Sequence, residues 1–416
     1  MSQKLSRRRF MHATATGISL TALSAASYAR VLGANDRISI GIIGCGDRGN
    51  NVHMNNIHKY SASQNVEITA VADPWRPRRE KAGALIKERY GREARQFVSY
   101  KELLALKDVD AVMIASCDHQ HTTHLHAAAE AGKDVYCEKP MAMNLSRLNR
   151  AYDAVKKAGV MVQIGTQLRS YPSFTGCRKL YQTGILGKVA RIEQRRNTTK
   201  PYWYNYIRDV RREDVDWQEF LMHRPDQPFD PVAYSGWYGY RGSSDGPVPG
   251  LASHFLDLVQ YITGARFPTS CVSLGGTYTW KDKYNFTCPD QVQVLWEYPE
   301  GFMVSYSTNF GSSADNSMKI LGDQGLLDMT NWNAPILSAE GGSKNAGVIR
   351  GKTPVEPVAR PDHWLNWLQC LRTRQTPHAS IDDGYAHGVA CLMAVQAFDT
   401  GRRMTYDPVT RQILPG

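Results

Sequence analysis

Residues 37–49 read RISIGIIGCGDRG, and the fold is decided there. A short apolar run, 38–43, meets three glycines, Gly44, Gly46 and Gly49, spaced G-x-G-x-x-G. The first glycine permits a tight turn out of a buried parallel strand. The second lets backbone approach a pyrophosphate, and the third lets the next helix pack close to the sheet. The start of that helix offers free N–H groups and partial positive charge to phosphate. Asp47 and Arg48, inside the turn, join the glycines as candidate cofactor contacts.

Outward from this stretch, residues 66–73, VEITAVAD, read as a second buried strand ending in an acid. Asp73 lies 24 residues past Gly49, near the spacing of a carboxylate that holds an adenosine ribose. Its charge favours NAD over NADP, whose 2′-phosphate it would repel. Arg76, Arg78 and Arg79 follow closely and keep NADP open. Helices are expected at 77–90, 101–106, 123–131 and 145–158, alternating with strands at 96–98, 111–115, 135–137 and 160–164. That rhythm implies a parallel sheet covered on both faces.

From residue 166 the rhythm changes. Runs of β-branched and aromatic residues at 189–197, 271–280, 291–298, 302–310 and 317–321 read as strands, with a hairpin turn at Pro299-Glu300-Gly301. Residues 331–360 read as a long loop, and helices at 362–374 and 384–402 close the chain. The fold class is α/β: a Rossmann dinucleotide-binding domain over 35–165, then an α+β domain over 166–416 with an open, largely antiparallel sheet. The closing helices are expected to pack back on the first domain.

Residues 6–11, SRRRFM, precede a mild apolar stretch rich in Ala, Thr and Ser, so residues 1–34 are expected to be an export signal. They resemble a twin-arginine signal, which implies a periplasmic or extracellular address reached in the folded state. Residues 1–34 hold five basic residues and no acid, so without them the formal charge falls from +11 to +6. That remainder is scattered and calls for no nucleic-acid partner. No run of eighteen uncharged apolar residues follows residue 34, so no membrane span is expected. The eight cysteines form no C-x-x-C pair and read mostly as small buried hydrophobes, with a disulfide left open.

Residues 137–142, CEKPMA, fall at the carboxyl end of a predicted parallel strand, the edge where such sheets bind ligands. Proline holds the residue before it extended. Lys139 so placed can hold a substrate hydroxyl and stabilise an alkoxide. At residues 250–257, GLASHFLD, His254 opens a helix, and Asp257 at i+3 can share its face. An imidazole can take a hydroxyl proton during alcohol oxidation. His119, His121, His124 and His126 cluster in sequence without the spacing of a metal motif, so no metal is assigned. The aromatic groups at 202–204 and 237–240 suit either stacking on sugar rings or ordinary packing.

The glycine turn, the Asp-terminated strand, E-K-P about ninety residues on and the open sheet together resemble the glucose–fructose oxidoreductase, inositol dehydrogenase and MocA family. Residues 165–169, GTQLR, and 184–189, GILGKV, resemble its entry into the second domain. The resemblance implies Lys139 as catalytic lysine with Glu138 its companion, His254 as general base or acid, and Ser116, His121, Glu138, Lys139 and Gln167 beside the cofactor. It implies hydride transfer between a sugar, polyol or glycoside carbon and nicotinamide, in a homo-oligomer, and the expected export adds that the cofactor is tightly held. Many dehydrogenases of the family carry an aspartate four residues before this histidine, where this chain has Gly250; Asp257 or Asp245 are the available substitutes. That departure keeps a second reading open, a redox-neutral glycosidase acting through transient C3 oxidation and elimination.

Overall fold

The computed structural model describes residues 37–339, 349 and 351–416, so the expected export signal lies outside the described residues. The first of two sheets has six strands: β1 Ile38–Ile43, β2 Val66–Ala72, β3 Arg95–Phe97, β4 Ala111–Ile114, β5 Asp134–Cys137 and β6 Val162–Ile164, in the order β3-β2-β1-β4-β5-β6. Every pairing is parallel, and helices such as Met54–Gln64 and His121–Glu130 make the crossovers. Alternate side chains enter two separate cores. Ile40, Ile42, Ile68 and Met113 face one, and Ile43, Ala70, Val112 and Ile114 the other. Burying each such aliphatic side chain is worth about 1.5–3 kcal/mol, which is why the central strands β1, β2 and β4 are mostly apolar. The strand order reverses between β1 and β4, which opens a crevice at their carboxyl ends.

The second sheet has ten strands: β7 Val189–Arg195, β8 Ser270–Gly276, β9 Gln291–Tyr298, β10 Phe302–Asn309, β11 Ser317–Gly322, β12 Leu326–Asp328, β13 Ile336–Ser338, β14 Lys352–Pro354, β15 Met404–Asp407 and β16 Gln412–Pro415. Their order is β14-β13-β12-β11-β7-β10-β9-β8-β15-β16. Only β7 and β10 pair in parallel; the other pairings are antiparallel. Along β9, Val292, Val294, Trp296 and Tyr298 point inward to helices Ser253–Thr263 and Ile381–Thr400, and the Trp296 indole donates to the Ala390 carbonyl at 2.9 Å. No helix among the described residues covers the opposite face, which carries exposed Val272, Leu274, Leu295 and Met303.

Three expectations are corrected. The strand expected over 271–280 stops at Gly276, because the Asp290 carboxylate accepts the amides of Tyr278, Thr279 and Trp280 at 3.0, 2.8 and 2.7 Å and gathers them into a turn. The loop expected over 331–360 contains β13 and β14, each only three residues and too short to show alternation. The final helix ends at Thr400, and β15 and β16 follow it at the sheet edge where no strand is expected. Helix His363–Thr373 gives Trp367, Leu368 and Leu371 to a core of the first sheet, and the Ile164 amide donates to the Ala379 carbonyl at 2.8 Å. The two sheets are thereby packed across one seam.

Candidate active site

The glycine turn is held by steric need at two positions and is open at the third. Gly44 has φ +92°, and a Cβ there would lie 2.5 Å from the Ser116 amide nitrogen. A Cβ on Gly49 would lie 2.2 Å from the Gly44 carbonyl oxygen. A Cβ on Gly46 would meet nothing within 4 Å, and Gly46 lines a cavity of about 570 Å³ at the carboxyl ends of β1, β2, β4 and β5. The turn therefore fits the close backbone approach of a dinucleotide. Gln167 lines the same cavity, with its buried carbonyl oxygen unpartnered among the described residues.

Asp73 closes the cavity at the end of β2. Its carboxylate accepts the Cys45 amide at 2.6 Å and the Trp75 amide at 2.8 Å, so the acid that faces the ribose position also braces the glycine turn. Burial raises its carboxyl, and those two N–H groups oppose the rise. The neighbouring arginines are committed elsewhere. Arg78 pairs with Asp47 at 2.6 Å, Arg76 pairs with Asp214, and Arg79 donates to the Asp73 carbonyl at 2.6 Å. With these partners the site favours a ribose without a 2′-phosphate.

Glu138 and Lys139 follow β5. The Glu138 carboxylate is buried and accepts from Arg48 Nε at 2.5 Å, with His53 Nε2 3.2 Å away. Burial pushes this carboxyl up, but Arg48, His53 and Lys139 together hold it well below its ordinary range. A side chain at Gly165 would crowd this carboxylate, since a Cβ would lie 2.7 Å from Glu138 Oε2. Lys139 reaches the other way, and its ammonium donates to the Gly250 carbonyl at 2.7 Å. Burial lowers its pKa, while Glu138 and Asp118 oppose the shift.

His254, in the first turn of helix Ser253–Thr263, lines the same cavity. Burial and the charge of Lys139 push its pKa down to about 3, so the ring is neutral at neutral pH, and its buried Nδ1 has no partner among the described residues. Asp257 is not brought to this ring. It is fully buried, its carboxylate accepts from Arg169 Nε at 2.7 Å, His387 Nδ1 stands 3.4 Å away, and it does not line the cavity. Sharing a helical face with His254 leaves Asp257 free to turn toward a nearer cation, and Arg169 is that cation. The glycine at 250 also has a steric cause: a Cβ there would lie 2.3 Å from the Tyr202 hydroxyl oxygen.

The histidine cluster divides among separate partners. His119 bonds the Phe220 carbonyl at 2.8 Å, and His124 bonds the Ser116 hydroxyl at 2.9 Å. His126 faces Glu130 at 3.3 Å. His121 lies between the Pro140 carbonyl (2.8 Å) and the Ser116 carbonyl (3.1 Å), so it ties the loop after β4 to the loop carrying Lys139. Trp237 and Tyr238 stack at 3.6 Å and line the cavity, whereas Trp203 is buried against Phe286 and Phe310. One residue escapes the sequence reading. Asp118 is buried and accepts from the Ser244 hydroxyl at 2.8 Å, and burial raises its carboxyl to about 7 against the pull of Ser244 and Lys139. The four histidines around it draw the eye from the one acid among them.

Comparisons with known proteins agree with this architecture. Residues 38–166 match the model "Oxidoreductase family, NAD-binding Rossmann fold", and residues 174–328 match "GFO/IDH/MocA C-terminal domain". The chain is 30% identical over 173 residues to inositol 2-dehydrogenase/D-chiro-inositol 3-dehydrogenase of Lactiplantibacillus plantarum, covering 41% of this chain and 47% of that one. It is 30% identical over 192 residues to myo-inositol 2-dehydrogenase of Thermotoga maritima, covering 44% and 54%. The chain thus spans about half the length of the curated relatives it matches. Among solved structures, aldose-aldose oxidoreductase of Caulobacter crescentus superposes with a TM-score of 0.66 at 19% identity, over 89% of this chain and 100% of that one. The WlbA dehydrogenase of Bordetella pertussis, complexed with NADH and UDP-GlcNAcA, superposes with a TM-score of 0.66 at 20% identity, over 89% and 99%. These two likenesses are of fold.

Proposed function

The chain belongs to the Gfo/Idh/MocA family of oxidoreductases, with an NAD-binding Rossmann domain, and on that premise we propose that it oxidises a hydroxyl-bearing carbon of a sugar, polyol or glycoside. The observation that carries the reading is the convergence of Gly46, Lys139 and His254 on one cavity, with the stacked pair Trp237–Tyr238 in its wall. NAD, held by the glycine turn and Asp73, supplies the hydride acceptor. Lys139 orients the substrate oxygen and stabilises charge developing on it. His254, neutral because it is buried beside a cation, takes the hydroxyl proton. The aromatic wall presents the apolar surface on which a sugar ring stacks.

The SRRRFM stretch supports export of the folded chain with its cofactor aboard. NAD has little free pool to exchange with outside the cytoplasm, so the turn holds it through repeated cycles. The exposed face of the ten-stranded sheet, where Val272, Leu274, Leu295 and Met303 stand among Arg191, Glu193 and Gln293, supports self-association of the chain. A second reading, a redox-neutral glycosidase, is favoured by Gly250, which leaves no carboxylate four residues before His254. The deciding experiment offers free sugars, polyols and glycosides to the purified chain without added cofactor. A ketosugar with reduced nicotinamide selects the dehydrogenase, aglycone release without net reduction selects the glycosidase, and neither product from any substrate defeats both.

A further inference from the structure

A second depression, of about 390 Å³, shares no lining residue with the cavity of Lys139 and His254. It is lined by Arg169, Arg178, Tyr261, Arg266, Arg360 and His378, among others. Three guanidinium groups converge on the single ring of Tyr261: Arg178 at 4.7 Å, Arg169 at 5.2 Å and Arg360 at 5.8 Å from its centroid. Arg169 is neutralised, by Asp257 at 2.7 Å and Asp383 at 3.1 Å. Arg178, Arg266 and Arg360 form no ion pair with a carboxylate among the described residues.

The hydrogen bonds of Arg360 go to neutral acceptors: His378 Nε2 at 3.1 Å, the Tyr261 hydroxyl at 2.7 Å and the Arg169 carbonyl at 3.0 Å. His378 accepts that bond, and its Nδ1 lies 2.8 Å from the Ser170 hydroxyl, so it adds neither a counter-charge nor a free donor. The acids at the rim are occupied. Asp383 is held by Arg169, and Asp382 by Lys156 at 2.7 Å and the Tyr152 hydroxyl at 2.6 Å. Three like charges are therefore gathered in one small concavity, two of them half-buried, with no direct carboxylate partner among the described residues; Asp383 also lines the depression, and Arg266 donates to the Asp382 carbonyl at 3.4 Å. The Tyr261 ring lies within cation–π reach of Arg178 and Arg360, and Arg266 lies 5.7 Å from the Phe267 ring centroid. A planar fork of N–H donors matches an oxoanion in two-point contact.

We propose that this depression is a binding site for a doubly charged oxoanion of the phosphate or sulfate class, free or as the ester of a small molecule, with Arg178 and Arg360 as its principal ligands and Arg266 at its mouth. The site is independent of the proposed dehydrogenase activity, so its test does not use turnover. Titration calorimetry of the full chain with inorganic phosphate, and separately with glucose 6-phosphate, is expected to give one site per chain. Arg178→Gln is expected to weaken phosphate binding at least tenfold and Arg266→Gln about threefold, while NAD affinity stays as in the parent. Tighter phosphate assigns the free ion and tighter glucose 6-phosphate the ester; either ranking supports the site. Absence of phosphate binding to the parent chain overturns the proposal, as does undiminished binding in R178Q. Should R178Q fail to fold, the exposed Arg266→Gln carries the test, and undiminished phosphate binding in R266Q overturns it.

Discussion

The hydroxyl oxygen of Tyr202 stands 2.3 Å from where a Cβ on Gly250 would be, and it has no hydrogen-bond partner among the described residues. Tyrosine and glycine are thus one packing unit, and the carbonyl of that glycine receives the Lys139 ammonium at 2.7 Å. Gly250→Ala is expected to cost about 1–3 kcal/mol through overpacking. Tyr202→Phe removes the obstructing oxygen, so the double variant should recover most of the loss. Denaturant unfolding of the four proteins checks this. Additive effects within about 0.5 kcal/mol would separate the two residues.

Lys139→Ala is expected to lower kcat by about 100- to 10,000-fold, the range of a positioned proton-handling group. NAD affinity should change little, because the turn and Asp73 hold the nucleotide on separate elements. Steady-state kinetics beside equilibrium NAD titration tests the split. A variant that loses both together would make Lys139 a binding residue.

Asp118 gives the chain a pH dependence of stability opposite to that of a salt-bridged acid. Its folded pKa is raised to about 7 from an ordinary 3.8, so the folded state holds the proton between those values. Its contribution is fully present below pH 3.8 and is lost as pH rises through 7. Asp118→Asn is therefore expected to stabilise the chain relative to the parent increasingly from about pH 4 to pH 7, by up to about 1.4 kcal/mol per pH unit, and to level off above pH 7. Melting curves across that range read it, and a parallel offset at every pH would contradict it.

How much was legible follows from length of signal. The glycine turn, the acid after β2 and most of the parallel strands carry a local motif or apolar run, and the short β3 and β6 are placed by the alternation with helices around them, so the first sheet matches the expectation. β13 and β14 are equally short but lie among Gly, Pro and Ser with no such rhythm to place them. Asp257 shows the limit for side chains. Helical spacing predicts a shared face with His254, but Arg169, 88 residues earlier, decides where the carboxylate goes. Asp118 shows the same limit, since its hydrogen-bond partner, Ser244, is 126 residues away and no local pattern announces it.

The exposed sheet face yields a prediction about assembly. Leu274, 77% exposed, stands on it with Val272, Leu295 and Met303. The chain is expected to run as a dimer or larger in light scattering, and Leu274→Asp with Met303→Asp to shift it toward monomer. An unchanged mass in the double variant would place the contact elsewhere.

The most direct test of the central claim, that Lys139 and His254 act on a carbohydrate hydroxyl beside NAD, is single-turnover reduction of bound nicotinamide in the NAD-loaded chain mixed with sugars and polyols. The account predicts the absorbance of reduced nicotinamide with at least one of them, and its loss in Lys139→Ala and His254→Ala variants that still bind NAD. Reduction at the parent rate in either variant, or none with any hydroxylated substrate while NAD remains bound, would contradict it.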